Sequence, residues 1–264
     1  MRIVCAALCG FILLILCGNG FAYQFNFPPS DFDILSAGDG RLIGHGHYSL
    51  EESGGEITLR GENRYFTGEY DIEEDRLASG GTNRMPQLLS FRHDFFAANG
   101  APTVVGKLDT RSGLGECGTL DAGTLAIKDQ QFSVPEDTYA GASVLLPIQH
   151  LISRGDREPL QVHVFNCAPT PKLIVVDLKP EAHPITWADY PGELEKVDVK
   201  ANFGFWTIVI APFVPKLAAW FDPSSGMLLV GAQLERYYKG AKIILVRKRE
   251  AEISKDRAAD KAAR

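Results

Sequence analysis

Short runs of alternating apolar and polar residues, broken every few positions by turn-forming pairs, constrain this chain more than any other feature. Successive side chains of a β-strand point to opposite faces, so such alternation marks strands with one buried and one wet face. Residues 42–59 alternate in this way around Ser53-Gly54-Gly55, the pattern of a hairpin. Residues 65–72 read as a further strand and 78–84 as a loop. Residues 88–96 and 103–110 flank a turn whose Asn99-Gly100 step accommodates positive backbone φ. Segments 160–167, 173–178, 193–201, 205–210, 216–221, 227–234 and 241–246 continue the series, with tight turns at 222–226 and at Lys239-Gly240. Short strands at this spacing belong to antiparallel sandwiches or barrels.

One segment departs from that period. Between Pro135 and Arg154, the residues Tyr139, Val144, Leu145, Ile148, Leu151 and Ile152 fall at helical spacing. Glu136 and Asp137 stand where a helix dipole favours anions, and Gly155 follows as a stop. Pro147 should kink this helix or split it in two. The expected fold is mainly β: a large curved antiparallel sheet or partial barrel with one packed helix.

The first residues carry a second message. Arg2 precedes an apolar run over residues 3–17, and small residues at Gly20 and Ala22 suit a signal peptidase. The run is shorter than the roughly 20 residues of a membrane-spanning helix. The expectation is a signal peptide at 1–22, one β-rich domain at 23–248 and a charged, disordered tail at 249–264, in a periplasmic or secreted protein. Bulky Leu16 before Cys17 speaks against a lipoprotein, and no transmembrane anchor is expected after cleavage. The formal net charge is −6, with a C-terminal run that is basic on balance, so the body is more acidic still. That excludes a nucleic-acid partner, whose phosphates need a basic face. Three of the five cysteines leave with the signal; Cys117 and Cys167 remain and form one expected disulfide.

Ala218-Ala219-Trp220-Phe221-Asp222-Pro223 leads into Met227-Leu228-Leu229-Val230, and the segment from Lys239 to Val246 closes the hairpin. This arrangement resembles a bacterial exported β-rich family classed as a domain of unknown function. The resemblance spans residues 41–246 and implies a curved sheet akin to periplasmic lipoprotein-carrier half-barrels. It brings no catalytic residues.

Candidate chemistry is sparse. His45 and His47 stand two apart on one strand face and, with His93, are the metal-ligand candidates. Five carboxylates within residues 69–75 read as a solvated strand end that discourages edge pairing. Asp109 and Glu116 form a nominal carboxylate pair. No nucleophile motif is present, so no catalytic residue and no cofactor is assigned, and a non-enzyme is expected. Residues 203–213 are apolar on both alternations, as in a strand covered on both sides or lining a cavity. The favoured function is binding of an apolar (lipid or acyl) ligand or an acylated partner between sheet and helix. Its expected lining is Val144, Leu145, Ile148, Leu151, Phe205, Trp206 and Trp220. The alternatives are an envelope structural or assembly protein binding other proteins, and a metal-dependent hydrolase.

Overall fold

Two antiparallel meanders share one sheet. The computed structural model describes residues 25–80, 84–167, 170–186, 190–204, 217–237 and 240–249. The first meander runs β1 (Ser30–Ser36), β2 (Leu42–Ser53), β3 (Glu56–Tyr65), β4 (Tyr70–Ala78), β5 (Gln87–Phe96), β6 (Pro102–Asp109), β7 (Leu114–Asp121) and β8 (Thr124–Gln131). The second runs β9 (Thr138–Tyr139), the helical insert, β10 (Leu160–Cys167), β11 (Pro171–Pro180), β12 (Ile185–Thr186), β13 (Glu193–Ala201), β14 (Leu217–Asp222), β15 (Leu228–Glu235) and β16 (Lys242–Arg247). Pairing of β1 with β16 joins the two in the order β8-β7-β6-β5-β4-β3-β2-β1-β16-β15-β14-β13-β11-β10-β9, with β12 on the side of β13. The sheet is mainly antiparallel and curved, as the alternation implied, and it is unclosed.

Curvature brings the two arms face to face. β11 approaches β7 and β8, β10 approaches β6, and β9 approaches β5. The disulfide Cys117–Cys167 bridges β7 and β10 across this gap, with a Cα–Cα distance of 5.5 Å. The principal core fills the concave side, with Phe32, Ile34, Leu59, Leu178, Phe221 and Ile243 almost fully buried. A smaller cluster of Leu194, Ala218, Trp220 and Val230 lies apart, with Ile185 and Tyr190 packed on it. Alternation explains the division: Ala219 and Phe221 join the principal core while Ala218 and Trp220 join the other.

Two local expectations are corrected. Residues 66–69 form the turn between β3 and β4, so the strand expected at 65–72 starts instead at Tyr70 and continues to Ala78. The helix begins as a 3₁₀ turn, Gly141–Val144, and passes directly into α1 (Leu145–Ser153). Pro147 falls in the first turn of α1, where a backbone N–H has no intrahelical partner to lose, so the break comes before the proline and not at it. Gly155, with φ of 70°, follows the helix as expected. The strand expected at 205–210, the signal segment and the tail beyond 249 lie outside the described residues.

The disulfide closes a span of 50 residues between arms that no hydrogen-bond ladder joins directly. Replacing both cysteines by serine is expected to remove about 2–4 kcal/mol of stability, read as a lower urea midpoint with a somewhat steeper slope, because the unlinked unfolded chain exposes more surface.

Candidate functional site

The carboxylate run at 69–75 folds in a way opposite to its expected solvation. On β4 the residues Asp71, Glu73 and Asp75 all point to the concave side and are 1, 5 and 0 % exposed. Only their neighbours Glu69 and Glu74 remain in contact with water. Buried carboxylates need internal donors, and the sheet supplies them. Asp71 Oδ1 accepts from Asn63 Nδ2 at 2.9 Å and from His93 Nε2 at 3.0 Å, and its Oδ2 accepts from the Tyr65 hydroxyl at 3.1 Å. The other His93 nitrogen lies 3.5 Å from Glu73. Asn63 also donates to the Tyr48 hydroxyl at 2.9 Å.

The helical insert supplies the remaining donors. The first N–H groups of a helix lack a full set of acceptors within it; here Ser143 N reaches the Ala140 carbonyl at 3.0 Å. Ala142 N donates to Glu73 Oε1, and Ser143 N donates to Asp75 Oδ2 at 2.8 Å. The acidic side chains at the helix start therefore come from β4, far away in sequence, and not from Glu136 and Asp137. Asp137 instead pairs with His163 at 2.9 Å. Gly141 makes this contact possible. Its φ is 48°, and a Cβ there would collide with the Glu73 carboxylate. The body of the helix is pinned by Gln149, which is 2 % exposed. Its amide donates to the Asn26 and Met227 carbonyls at 2.9 and 2.8 Å, and its oxygen accepts from Asn26 N at 3.1 Å.

Burial sets the protonation of this network. It raises the Glu73 pKa, against the opposing pull of His93 and the Ala142 amide. Burial and then the Glu73 charge push Asp75 well above the usual carboxylate range. Burial alone would lower His93, but Glu73 and Asp71 outweigh it and hold the imidazole above its ordinary value. The arrangement is an imidazole drawn toward its protonated form between two acidic side chains, beside an acid drawn toward its neutral form.

Between the insert and the sheet lies a cavity of about 750 Å³. Its apolar wall includes Phe27, Phe32, Phe91, Ile174, Leu229 and Leu245, and Glu73 and His93 line it as well. Of the residues expected to line a pocket, Val144, Leu145 and Ile148 do so. Leu151 belongs to the principal core and Trp220 to the separate smaller cluster, away from the helix. Phe205 and Trp206 lie outside the described residues.

The histidine candidates are not brought together. His45 and His47 stand on the wet face of β2, paired with Asp33 at 2.8 Å and Asp31 at 2.7 Å, whereas His93 is on the concave face of β5. Among the described residues no group of three or more His, Cys, Asp or Glu is arranged to hold a metal ion. Asp109 closes a turn by accepting from Ser112 N and Oγ at 2.7 and 2.9 Å, and Glu116 lies 3.7 Å from Lys107. No helix among the described residues is long and apolar enough to cross a membrane.

The sequence reading missed the network of Tyr48, Asn63, Tyr65 and the three inward acids. One signal pointed to it: Asp71, Glu73 and Asp75 are spaced by two, which places them on a single strand face. Comparisons with family models, with curated proteins and with solved structures find no match to this chain.

The pKa directions give a signed test. Asp75 is raised in the fold, so its contribution is fully present below its unfolded value near 3.9 and is lost as pH rises through the folded value. Asp75→Asn keeps an oxygen for Ser143 N without the ionisation. Its stability relative to wild type is expected to improve steadily from pH 5 to pH 9 in urea melts. Asp75→Ala removes the side-chain acceptor of Ser143 N–H and leaves it only the Ala140 carbonyl at 3.0 Å, so it is expected to cost about 0.5–1.5 kcal/mol at pH 5, where Asp75→Asn costs little.

Proposed function

We propose that this chain is an exported, non-enzymatic binding protein that holds an apolar ligand, or the acyl chain of a partner, in the cavity between helix and sheet. One observation carries the reading. The cavity of about 750 Å³ is walled mainly by aromatic and aliphatic side chains, with a minority of polar ones such as Glu73, His93 and Arg236 among them. That size and lining suit a ligand bound largely by removal of apolar surface from water. The acidic network supports it in a second way. With both His93 nitrogens turned toward carboxylates, the imidazole serves to satisfy buried charge and has no free nitrogen to act as a base.

The helix is a wall of this site as well as part of the core. Val144, Leu145 and Ile148 face the cavity, while Leu146 and Ile152 are buried in the principal core. Its two sets of polar anchors hold that wall against the sheet, so the cavity is preformed and little ordering accompanies binding.

Native mass spectrometry of protein purified without detergent is the test. Extra mass that organic solvent removes is expected, and the extracted protein should take up a lipophilic fluorophore. Val144→Trp, which fills part of the cavity from its helical wall, should weaken that uptake about tenfold, or about 1.4 kcal/mol. Bare protein that takes up no fluorophore would refute the reading.

A further inference from the structure

We infer that the occupant of this cavity is a single-chain amphiphile with an anionic head, its chain among the aromatic walls and its head at Arg236 and Lys172. This rests on the reading above and specifies the chemistry of the ligand.

Arg236 follows β15 and lines the cavity. Its guanidinium carbon lies 3.7 Å from the centroid of the Tyr65 ring and 6.0 Å from that of Phe95, so its position is set by stacking. The side chain is only 11 % exposed, and Nη1 reaches Glu69 at 2.8 Å. Nε, however, is buried and makes no hydrogen bond among the described residues. A buried donor without an acceptor costs about 1–3 kcal/mol, and a ligand oxygen that accepts from it recovers that cost. Carboxylate and phosphate match the guanidinium fork best.

Lys172 is the second cation on the cavity and forms no ion pair among the described residues. The sheet register links it to Arg236 through a series of neighbours. Lys172 is opposite Asn166, next to Cys167, whose sulfur lies beside Gly106. Gly106 is two residues from Val104, which is opposite the same Phe95 that Arg236 approaches. Two exposed aromatics, Phe203 (39 %) and Tyr237 (40 %), also line the cavity, and the Tyr237 ring lies 5.4 Å from that of Phe95. This end is therefore open to water and carries the free lysine. Glu235 is the other acid lining the cavity besides Glu73. With Glu69 paired to Arg236 and Glu73 facing His93 and the helix amides, Arg236 Nε is the buried donor on the cavity without a partner among the described residues, while the exposed Lys172 adds a solvated positive charge.

The test uses the full chain and four twelve-carbon probes: dodecanoate, dodecyl phosphate, dodecanol and dodecyltrimethylammonium. Each displaces a cavity-bound lipophilic fluorophore. The two anions are expected to compete at least about tenfold better than the alcohol, the worth of one charge-assisted hydrogen bond. Arg236→Gln should remove about that factor for the anions and leave the alcohol within about twofold. Lys172→Gln should remove a smaller, salt-sensitive part. Whichever anion binds more tightly separates a carboxylate head from a phosphate head. Inorganic phosphate alone should not compete; if it does, the acyl chain is not required and the inference fails. Equal loss of anion and alcohol in Arg236→Gln, or strongest competition by the ammonium probe, would overturn the head-group assignment while leaving apolar binding intact. Failure of all four probes would overturn both. Should Arg236→Gln not fold, the wild-type ranking and Lys172→Gln still decide.

Discussion

Two acidic side chains on one strand, Glu73 and Asp75, accept from the first amides of the helical insert, and the concave half of the molecule depends on that contact. A carboxylate placed inside a sheet without donors would be costly to bury. A helix end left without acceptors would be costly too. Each solves the other's problem, and the helix is fixed in position as a result. Gly141 turns the chain at the one point where any side chain would strike Glu73. In the body of the helix Gln149 bonds to the Asn26 and Met227 backbone, so segments distant in sequence from β4 hold the helix as well. The cavity wall inherits this rigidity.

The sheet's path makes such a contact possible. Two meanders meet at the β1–β16 pair, and the disulfide between β7 and β10 fastens the arms where no ladder joins them. Small inward residues help. Gly61 gives the Tyr48 ring room to lie across β3, and Gly106 lets the Cys167 sulfur approach β6. Removing side chains at these places lets rings, a disulfide and a helix fit inside one curved surface.

Much of the architecture was legible because period-two alternation acts locally. The hairpin around Gly54-Gly55, the strand over residues 160–167 and the turn at Asp222 are set by neighbouring residues, and all are found where the pattern puts them. The disulfide followed from counting cysteines. The acidic row was misread because burial of a charge depends on donors that arrive from elsewhere in the fold. Nothing within residues 69–75 indicates Ala142, Ser143 or His93. Trp220 is instructive in the same way: its strand was identified, but which face it would occupy depended on how the segment around Ile185 and Tyr190 folds back over it. Alternation gives two faces without saying which is concave.

Amide hydrogen exchange resolved to single residues is the most direct test of the central contact. Ala142 stands at the start of a helix without a backbone acceptor and Ser143 has only the Ala140 carbonyl, and amides so placed ordinarily exchange readily. Bonded to Glu73 and Asp75, they should instead be protected to nearly the level of the β3–β5 ladder, and Glu73→Gln should lower protection at Ala142 more than at Ser143. Rapid exchange of both amides in a protein whose β3–β5 ladder stays protected would contradict the account.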